Sequence, residues 1–300
     1  MRNSAAPFKS AFIALAGRPN SGKSTLMNTV LQEQISIVTS LPQTTRRNIR
    51  GIYTTDEMQL VFIDTPGIHK GKHTFNELML TEAQGALCAG ADLICYMVDL
   101  SRDFGEEESV CAAAVSGAGN STPVLVVFNK TDRCRDTESK INSFLSRFPE
   151  FKSYPRITIS AVDPRSKKVF LDTLLPFINE GPKYFDDDSL TDASMRTLAA
   201  EFIRKQVILN TREEVPHAVF VEIESYKETD AGHKITAAIH VETDGQKAIV
   251  IGKRGALIEK IKKDARREIE TLAGVRVSLK AHIKITPNWR NDNAFLRSMQ

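Results

Sequence analysis

Short apolar runs alternate with longer amphipathic stretches along the first 180 residues. The runs have the length and β-branched content of buried strands, and the stretches have the spacing of helices. The predicted strands are residues 11–16, 60–63, 93–98, 124–128 and 156–159, and the predicted helices are residues 24–31, 75–89, 106–115 and 137–148. This alternation predicts an α/β domain with a mostly parallel sheet flanked by helices, in which ligands bind beyond the carboxyl ends of the strands.

A second pattern begins after residue 180. Residues 181–193 contain Gly181-Pro182 and a run of aspartates and lack periodicity, so they are predicted to form a linker that caps the next helix. The elements predicted beyond it are a helix at 193–210, strands at 218–224 and 234–241, a helical pair broken at 252–255, and a strand near 275–285. We therefore predict a first domain over residues 1–180 and an α+β domain over residues 194–300.

Composition is consistent with two folded domains, because 41% of the 300 residues are apolar. No stretch reaches the roughly 18 uncharged apolar residues that a membrane span needs, and the first ten residues lack signal-peptide architecture. These features predict a cytoplasmic protein. The cysteines have no metal-type spacing and are expected to be reduced packing residues; they are Cys88, Cys95, Cys111 and Cys134.

Charge is unevenly distributed in the second half. Residues 181–244 carry 7 basic and 13 acidic side chains, whereas residues 245–300 carry 13 basic and 5 acidic ones. A solvated face without function is one explanation of such a basic segment. An acidic stretch followed by a basic one within a single domain instead favours one face that binds a polyanion.

A phosphate-binding loop joins the first predicted strand to the first predicted helix. Residues 17–24 read Gly-Arg-Pro-Asn-Ser-Gly-Lys-Ser, the G-x-x-x-x-G-K-S pattern. Such a loop offers backbone N–H groups and a helix N-terminus to a polyphosphate, with Lys23 on the β- and γ-phosphates and Ser24 on Mg²⁺. The residues predicted to contact the phosphates here are Gly17, Asn20, Ser21, Gly22, Lys23, Ser24 and Thr25.

The motif Asp64-Thr65-Pro66-Gly67 follows the next buried run. At a strand end the Asp64 carboxylate can hold Mg²⁺ through water, and the Gly67 N–H can meet the γ-phosphate. Further nucleotide contacts are predicted for Thr65, Pro66 and Ile68. One of Thr44 and Thr45 should contact Mg²⁺ and the γ-phosphate when a nucleoside triphosphate is bound, and we favour Thr45.

Base specificity is predicted from Asn129-Lys130-Thr131-Asp132. Asp132 can accept hydrogen bonds from guanine N1–H and the exocyclic N2, which adenine does not offer. Lys130 would lie along the base and sugar, and Asn129 would tie this loop to the phosphate loop. After a further strand, Ser160-Ala161 can present a backbone N–H to guanine O6, so the set selects GTP and GDP.

Phosphoryl transfer asks mainly for positioning and charge stabilisation. The predicted catalytic set is accordingly Lys23, Thr45, Asp64 and Gly67. Ile68 occupies the position where many signalling GTPases place a water-orienting glutamine, and its side chain cannot hydrogen-bond water. We hypothesise that unaided turnover is slow and that a partner or K⁺, ligated by Asn20, completes the site.

A second candidate site surrounds Gly252-Lys253-Arg254-Gly255. A G-x-x-G turn between helices lets a sugar–phosphate strand approach the backbone closely. By itself the motif could be an ordinary turn, but the positive charge of the flanking residues and of the helix N-terminus favours RNA binding. The predicted RNA-binding residues are Ile251, Gly252, Lys253, Arg254, Gly255, Lys260, Lys263 and Arg267. The predicted floor of the groove is Ile249, Ile251, Leu257, Ile258 and Ile261, while Trp289 is assigned to packing.

Taken together, these motifs resemble those of the Era family of bacterial GTPases. The match runs over nearly the whole chain: residues 16–25, 43–46, 64–67, 129–132, 160–161, 183–192, 212–216, 252–255 and 288–290. The resemblance implies a P-loop GTPase domain followed by a type II KH domain, with Mg²⁺ as cofactor. It also implies binding to the 3′ region of 16S rRNA, a role in maturation of the 30S ribosomal subunit, and loose peripheral association with the inner membrane. No DNA partner is expected.

Two other classes of function stay open at this point. The chain could be an RNA-binding module in which the nucleotide is only a structural ligand. It could also be a membrane-signalling GTPase whose basic half meets anionic lipid.

Overall fold

The computed structural model describes residues 7–39, 45–46, 48–68, 74–88 and 90–298. These residues form two compact units, the first extending to Asp192 and the second beginning at Ala193. Residues 37–39 and 74–75 group with the second unit. Among the described residues, no helix combines the length and apolar character needed to cross a bilayer.

The first unit is built on one sheet with the strand order β2-β3-β1-β4-β5-β6. β2 pairs antiparallel with β3, β7 pairs antiparallel with β1, and the other neighbours are parallel. The strands are β1 (Lys9–Ala16), β2 (Ile49–Thr54), β3 (Met58–Asp64), β4 (Leu93–Asp99), β5 (Val124–Asn129), β6 (Arg156–Thr158) and β7 (Asn179–Glu180). The parallel pairing brings the carboxyl ends of β1, β3, β4, β5 and β6 to one edge.

Helices connect these strands as the alternating pattern predicts. They are α1 (Lys23–Leu31), α2 (Thr74–Cys88), α3 (Glu106–Ala118), α4 (Thr137–Arg147) and α5 (Ser166–Leu174). Every residue of β4 and β5 is buried, as expected for central parallel strands covered on both faces. The central strands thus hold their carboxyl ends in a dense core.

The sequence pattern missed β2. Gly51 interrupts the apolar alternation of this strand, and the structure gives the reason. A Cβ atom at Gly51 would lie 2.7 Å from Leu31 Cδ1 and 2.8 Å from Met27 Sδ. Because α1 packs this closely over β2, the strand carries a glycine where the pattern would require a side chain.

Residues 181–192, which were predicted to be a linker, have fixed partners in the first unit. The buried amide of Gln59 donates to Phe185 O at 2.9 Å and accepts from the Phe185 N–H at 3.0 Å. Farther along, Arg50 of β2 forms an ion pair with Asp192 at 2.7 Å. The segment therefore packs against β2 and β3 of the first unit.

Three described cysteine side chains, those of Cys95, Cys111 and Cys134, are free thiols. Cys95 and Cys111 are fully buried, and burial raises the pKa of both thiols. They therefore stay protonated at neutral pH and act as packing groups.

The second unit is an α+β domain. Its three-stranded sheet has the order β10-β9-β8, with β9 antiparallel to β8 and parallel to β10. The strands are β8 (Phe220–Thr229), β9 (Gly232–Val241) and β10 (Val277–Ile285). The helices are α6 (Met195–Asn210), α7 (Val215–Ala218), α8 (Asp244–Ile251), α9 (Ala256–Ala273) and α10 (Asn293–Ser298).

The core of this unit is closed by α9 and by Trp289. Ile261, Ala265 and Ile269 recur every four residues and form the buried stripe of α9. Trp289 is fully buried, and its indole N–H donates to Ala218 O at 2.8 Å. The prediction that Trp289 packs in the interior is confirmed.

Replacing Ile261 with Ala should lower the free energy of unfolding of the second unit by about 2–5 kcal/mol, because it leaves a cavity beneath α9. Urea unfolding followed by the fluorescence of Trp289, the only tryptophan in the sequence, measures this change. Ile249→Ala is the control, since Ile249 is 50% exposed, and we expect a change within about 0.5 kcal/mol. Equal unfolding free energies for Ile261→Ala and the wild type would contradict the placement of Ile261 in the core.

Candidate functional site

The loop between β1 and α1 encloses the Lys23 side chain. Gly17 and Gly22 have φ angles of 145° and 104°, and a Cβ atom at Gly22 would overlap the side-chain amide of Asn129. Lys23 Nζ donates to Gly17 O at 3.2 Å and to Arg18 O at 3.0 Å. The loop therefore holds a buried cation at the start of a helix, the arrangement that binds polyphosphates.

Asp64, the last residue of β3, is the centre of an oxygen cluster. Its Oδ2 accepts from Ser24 Oγ at 2.5 Å and from Thr45 Oγ1 at 3.2 Å, and these two hydroxyls lie 3.0 Å apart. Its Oδ1 is buried and has no hydrogen-bond partner among the described residues. A buried carboxylate oxygen without a partner is costly, and hard oxygen donors are what Mg²⁺ prefers, so these residues fit that ion.

Thr44, the other threonine predicted to contact Mg²⁺ and the γ-phosphate, lies outside the described residues. Thr45 is buried beside Asp64. The structure thus brings Ser24, Thr45 and Asp64 together.

Burial dominates the electrostatics of this cluster. It raises the pKa of Asp64 and lowers the pKa of Lys23, while the opposite charge of each group counteracts the shift of the other. Hydrogen bonds from the neighbouring hydroxyls also stabilise the Asp64 carboxylate. The charged forms of these two residues therefore depend on each other.

Asn129, at the end of β5, joins the predicted base-binding loops to the phosphate loop. Its Nδ2 donates to Ser21 O at 2.8 Å, and its Oδ1 accepts from the Ala161 N–H at 2.8 Å. Asp132 Oδ1 accepts from Ser160 Oγ at 2.6 Å. Loops that follow β1, β5 and β6 are thereby linked, and the link predicted for Asn129 is present.

Two predicted contact residues turn their side chains away from this site. Thr65 Oγ1 donates to Leu15 O at 2.8 Å within the core. The Ile68 side chain is buried in the hydrophobic cluster beneath the sheet edge, and its N–H donates to Gly17 O at 3.2 Å. Gly67 packs directly against Pro19, so the residues after Asp64 offer backbone rather than side chains.

The G-x-x-G turn in the second unit has an unusual backbone. Gly252, Arg254 and Gly255 have φ angles of 71°, 53° and 80°. A Cβ atom at Gly252 would lie 2.5 Å from Leu257 Cβ, so only glycine fits there. The turn leaves Lys253 and Arg254 exposed at its tip.

The cations of this region differ in their partners. Lys260, Lys263 and Arg267 recur at helical spacing on one face of α9. Lys260 lies 3.3 Å from Asp264, and Arg267 lies 3.9 Å from the same residue. In the described part of the chain Lys253, Arg254 and Lys263 have no carboxylate partner, so unpaired positive charge lies at the turn and on α9.

The predicted floor of the groove needs one correction. Ile249 is 50% exposed, and Ile251, Leu257 and Ile258 are partly exposed beside the turn. Ile261 is 0% exposed. Its helical position places it on the core face of α9, so the prediction that Ile261 contacts bases is wrong.

Comparison with known proteins places both units. A family model described as 50S ribosome-binding GTPase matches residues 12–130, and a KH domain model matches residues 214–290. GTPase Era of Ruminiclostridium cellulolyticum is 39% identical over 97% of both chains, and GTPase Era of Geobacter metallireducens is 39% identical over 98% of both. The chain belongs to the Era family of GTPases.

Solved structures of Era have the same fold over 97% of this chain. A crystal structure of Era in complex with MgGDPNP and nucleotides 1506–1542 of 16S ribosomal RNA has a TM-score of 0.90. A crystal structure of an Aquifex aeolicus Era variant bound to GDP·AlF₄⁻ has a TM-score of 0.89. Both solved chains are 32% identical to this chain. Each match covers 97% of this chain and 98% of the solved chain. The predicted P-loop GTPase and KH folds are confirmed.

The partner of Lys130 in this Era-family chain is Asp99, which was not predicted from the sequence. Lys130 Nζ lies 2.8 Å from Asp99 Oδ2. Asp99 is buried at the end of β4, where its Oδ1 also accepts from the Ser101 N–H and hydroxyl. An aspartate directly after an apolar run at the ligand-binding edge was the available signal.

A second missed group anchors the phosphate loop to α3. The Arg18 Nε atom lies 2.6 Å from Glu108 Oε2, and Arg18 Nη1 donates to Asp103 O at 3.1 Å. The Tyr96 hydroxyl donates a hydrogen bond to Glu108 Oε1 at 2.5 Å. Burial raises the pKa of Glu108 and the Arg18 charge opposes that shift. A buried charge is costly unless it is paired. The ion pair between Arg18 and Glu108 therefore also attaches the phosphate loop of this Era-family chain to α3.

Proposed function

We propose that this chain is a GTP-hydrolysing switch that binds the 3′ region of 16S rRNA and acts in maturation of the 30S subunit. The observation that carries the proposal is the convergence of Lys23, the Asp64 oxygen cluster and the Asn129 link at one sheet edge. Membership of the Era family over the full chain, and the Era complex with a 16S rRNA segment, support it.

In this proposal the phosphate loop and α1 hold the triphosphate. Backbone N–H groups between Gly17 and Thr25, other than at Pro19, would surround the phosphates, and Lys23 would contribute a positive charge at the β- and γ-phosphates. The hydroxyls of Ser24 and Thr45 and, through water, the Asp64 carboxylate would hold Mg²⁺. When bound, Mg²⁺ supplies neutralisation of the charge that develops on the phosphate oxygens.

Hydrolysis then depends on positioning by Lys23, Thr45, Asp64 and Gly67. Their contribution is charge stabilisation and exclusion of wrong geometries. The buried Ile68 side chain cannot orient the attacking water. We therefore propose that K⁺, with Asn20 among its ligands, or a partner supplies the missing group.

The base is read by the loops after β5 and β6. Asp132 would accept from guanine N1–H and N2–H, while Ser160 fixes the carboxylate through the 2.6 Å bond. Lys130, held by Asp99, would cover one face of the base, and the Ala161 region would meet O6. We propose that Asn129 keeps base and phosphate loops at the separation of one nucleotide.

RNA binding is assigned to the second unit. In the proposal, Lys253 and Arg254 at the G-x-x-G turn and Lys263 on α9 would attract the phosphates, and the partly exposed apolar residues at the turn would contact the bases, the chemistry that binds a single RNA strand. Gly252 and Gly255 would let the sugar–phosphate strand approach, Ile251 would line the groove, and Lys260 and Arg267 would extend the contact.

We further propose a GTPase domain over residues 1–180, a connecting segment over 181–193 and a KH domain over 194–300. The protein would act in the cytoplasm, with any contact at the inner membrane peripheral.

Replacing Asp132 with Asn should convert the base preference from guanine to xanthine. The amide Oδ1 can accept from N1–H of either base, but Nδ2 only donates, so it meets xanthine O2 and cannot accept from guanine N2–H. GTP affinity should therefore fall at least about 100-fold and XTP affinity should rise. Displacement of a fluorescent nucleotide by GTP, XTP and ATP measures this. Asp172→Asn, an exposed aspartate on α5, is the control, and retained GTP preference in Asp132→Asn would refute the assignment.

Replacing Lys253 and Arg254 with Asp should weaken binding of an RNA with the 3′ sequence of 16S rRNA. Two lost phosphate contacts should also reduce the slope of log Kd against log salt concentration by about 1.4. GTP affinity should stay close to that of the wild type. The matched variant reverses Lys152 and Arg156, which are exposed on the first unit; equal weakening in both variants would argue against a site at the turn.

GTP hydrolysis should be at least about 10-fold faster in KCl than in NaCl, if K⁺ contributes charge stabilisation in the transition state. Asn20 has a φ of 63°, which glycine tolerates, so Asn20→Gly removes the amide without straining the loop. We expect this variant to lose the K⁺ stimulation while it still binds GTP. Equal wild-type rates in the two salts would remove K⁺ from the mechanism.

A further inference from the structure

Ser36 is a fully buried polar residue that contacts the metal-binding cluster. Its hydroxyl donates to Asp64 Oδ2 at 2.6 Å. Ser24 and Thr45 donate to the same oxygen, but both are proposed to place their own oxygens on Mg²⁺. Ser36 has no such second role, so its bond serves the carboxylate alone.

Asn28 holds Ser36 in this position. It follows Ser24 by four residues and therefore lies one turn later on the same face of α1. After α1 the chain turns back at Gln32, whose φ is 59°. Asn28 Oδ1 then accepts from the N–H groups of Ile35 and Ser36 at 3.1 and 3.0 Å, and its Nδ2 donates to Ser36 O at 2.7 Å.

The consequence is an asymmetric carboxylate. Hydroxyl donors occupy Asp64 Oδ2, whereas Oδ1 has no hydrogen-bond partner among the residues that the structure describes. The terminal torsion of an aspartate has a broad energy well, so the group needs external bonds to fix its orientation. Partners of this kind, one step removed from a metal, set the orientation of the ligating group.

We infer that Ser36 is a positioning residue for Mg²⁺, and that Asn28 acts through it. By holding Oδ2, Ser36 fixes the orientation of the Asp64 carboxylate beside Ser24 and Thr45, the two hydroxyls that would bind the ion. The inference rests on the proposed function, in which Asp64 belongs to the Mg²⁺ site. Its specific consequence is that loss of the Ser36 hydroxyl weakens Mg²⁺-dependent retention of nucleotide and leaves Mg²⁺-free binding intact.

Release of fluorescent GDP from the full chain, measured over a range of Mg²⁺ concentrations and in EDTA, tests this. Ser36→Ala should raise the Mg²⁺ concentration for half-maximal slowing of release about 10-fold, while the rate in EDTA stays near that of the wild type. Ser36→Thr keeps the hydroxyl and should restore the midpoint. An unchanged midpoint in Ser36→Ala, or equal acceleration with and without Mg²⁺, would overturn the inference.

Asn28→Ala tests the second half of the inference and also serves if Ser36→Ala fails to fold. It should shift the Mg²⁺ midpoint in the same direction, because the Ser36 hydroxyl loses its anchor. The double variant should shift it little beyond Ser36→Ala, since the two residues act on one bond. An unshifted midpoint in Asn28→Ala, or additive shifts, would show that Asn28 does not act through Ser36.

Thr211→Ala supplies the matched control. Thr211 is a buried hydroxyl in the second unit that donates to Val207 O at 2.7 Å, so its loss also removes a buried hydrogen bond. Its Mg²⁺ midpoint should equal that of the wild type. A wild-type protein whose GDP release ignores Mg²⁺ would overturn the proposed metal site itself, whereas a Mg²⁺-sensitive wild type with an unaffected Ser36→Ala would overturn only the positioning role.

Discussion

Two opposite charges, those of Lys23 and Asp64, lie buried together at the carboxyl edge of the sheet. Burying a charge costs several kcal/mol unless pairing and hydrogen bonds offset it. The partners that offset it come from separate segments: the phosphate-loop carbonyls on Lys23, and the hydroxyls of Ser24, Ser36 and Thr45 on Asp64. The requirement to satisfy these charges thus draws distant parts of the chain into one site.

The candidate site of the second unit differs from that of the first, because its charges are exposed rather than buried. Its buried cations Arg204 and Lys205 form ion pairs with Glu201 and Glu268, whereas the cations at the G-x-x-G turn are exposed and lack carboxylate partners among the described residues. Arg254 also adopts a left-handed backbone conformation that costs a non-glycine residue about 1–2 kcal/mol. Unpaired charge and a strained backbone at one exposed turn are features of a binding surface rather than of a packing element.

Much of this arrangement follows from local sequence. Apolar runs predict the parallel strands, and the motifs that follow them predict the ligand-binding loops. Both can be recognised because each consists of consecutive residues. The edge strand β2 was not predicted because Gly51 interrupts its apolar alternation, and the glycine is required there by the close packing of α1. Asp99, Glu108 and Ser36 were missed for a related reason: each gains its role from a residue far away in the chain. For Ile261 the residue was noticed but its role was predicted wrongly. The apolar pattern of α9 does not tell which side of the helix faces the core and which faces the groove, and Ile261 lies on the core side.

The central claim is that loops at successive strand ends grip one guanine nucleotide. A crystal structure of the protein with Mg²⁺ and a non-hydrolysable GTP analogue tests it most directly. The account predicts Lys23 Nζ on the β- and γ-phosphates and the Asp132 carboxylate within about 3.2 Å of guanine N1 and N2 in the same molecule. A nucleotide whose phosphates meet Lys23 while its base lies away from Asp132 would contradict it.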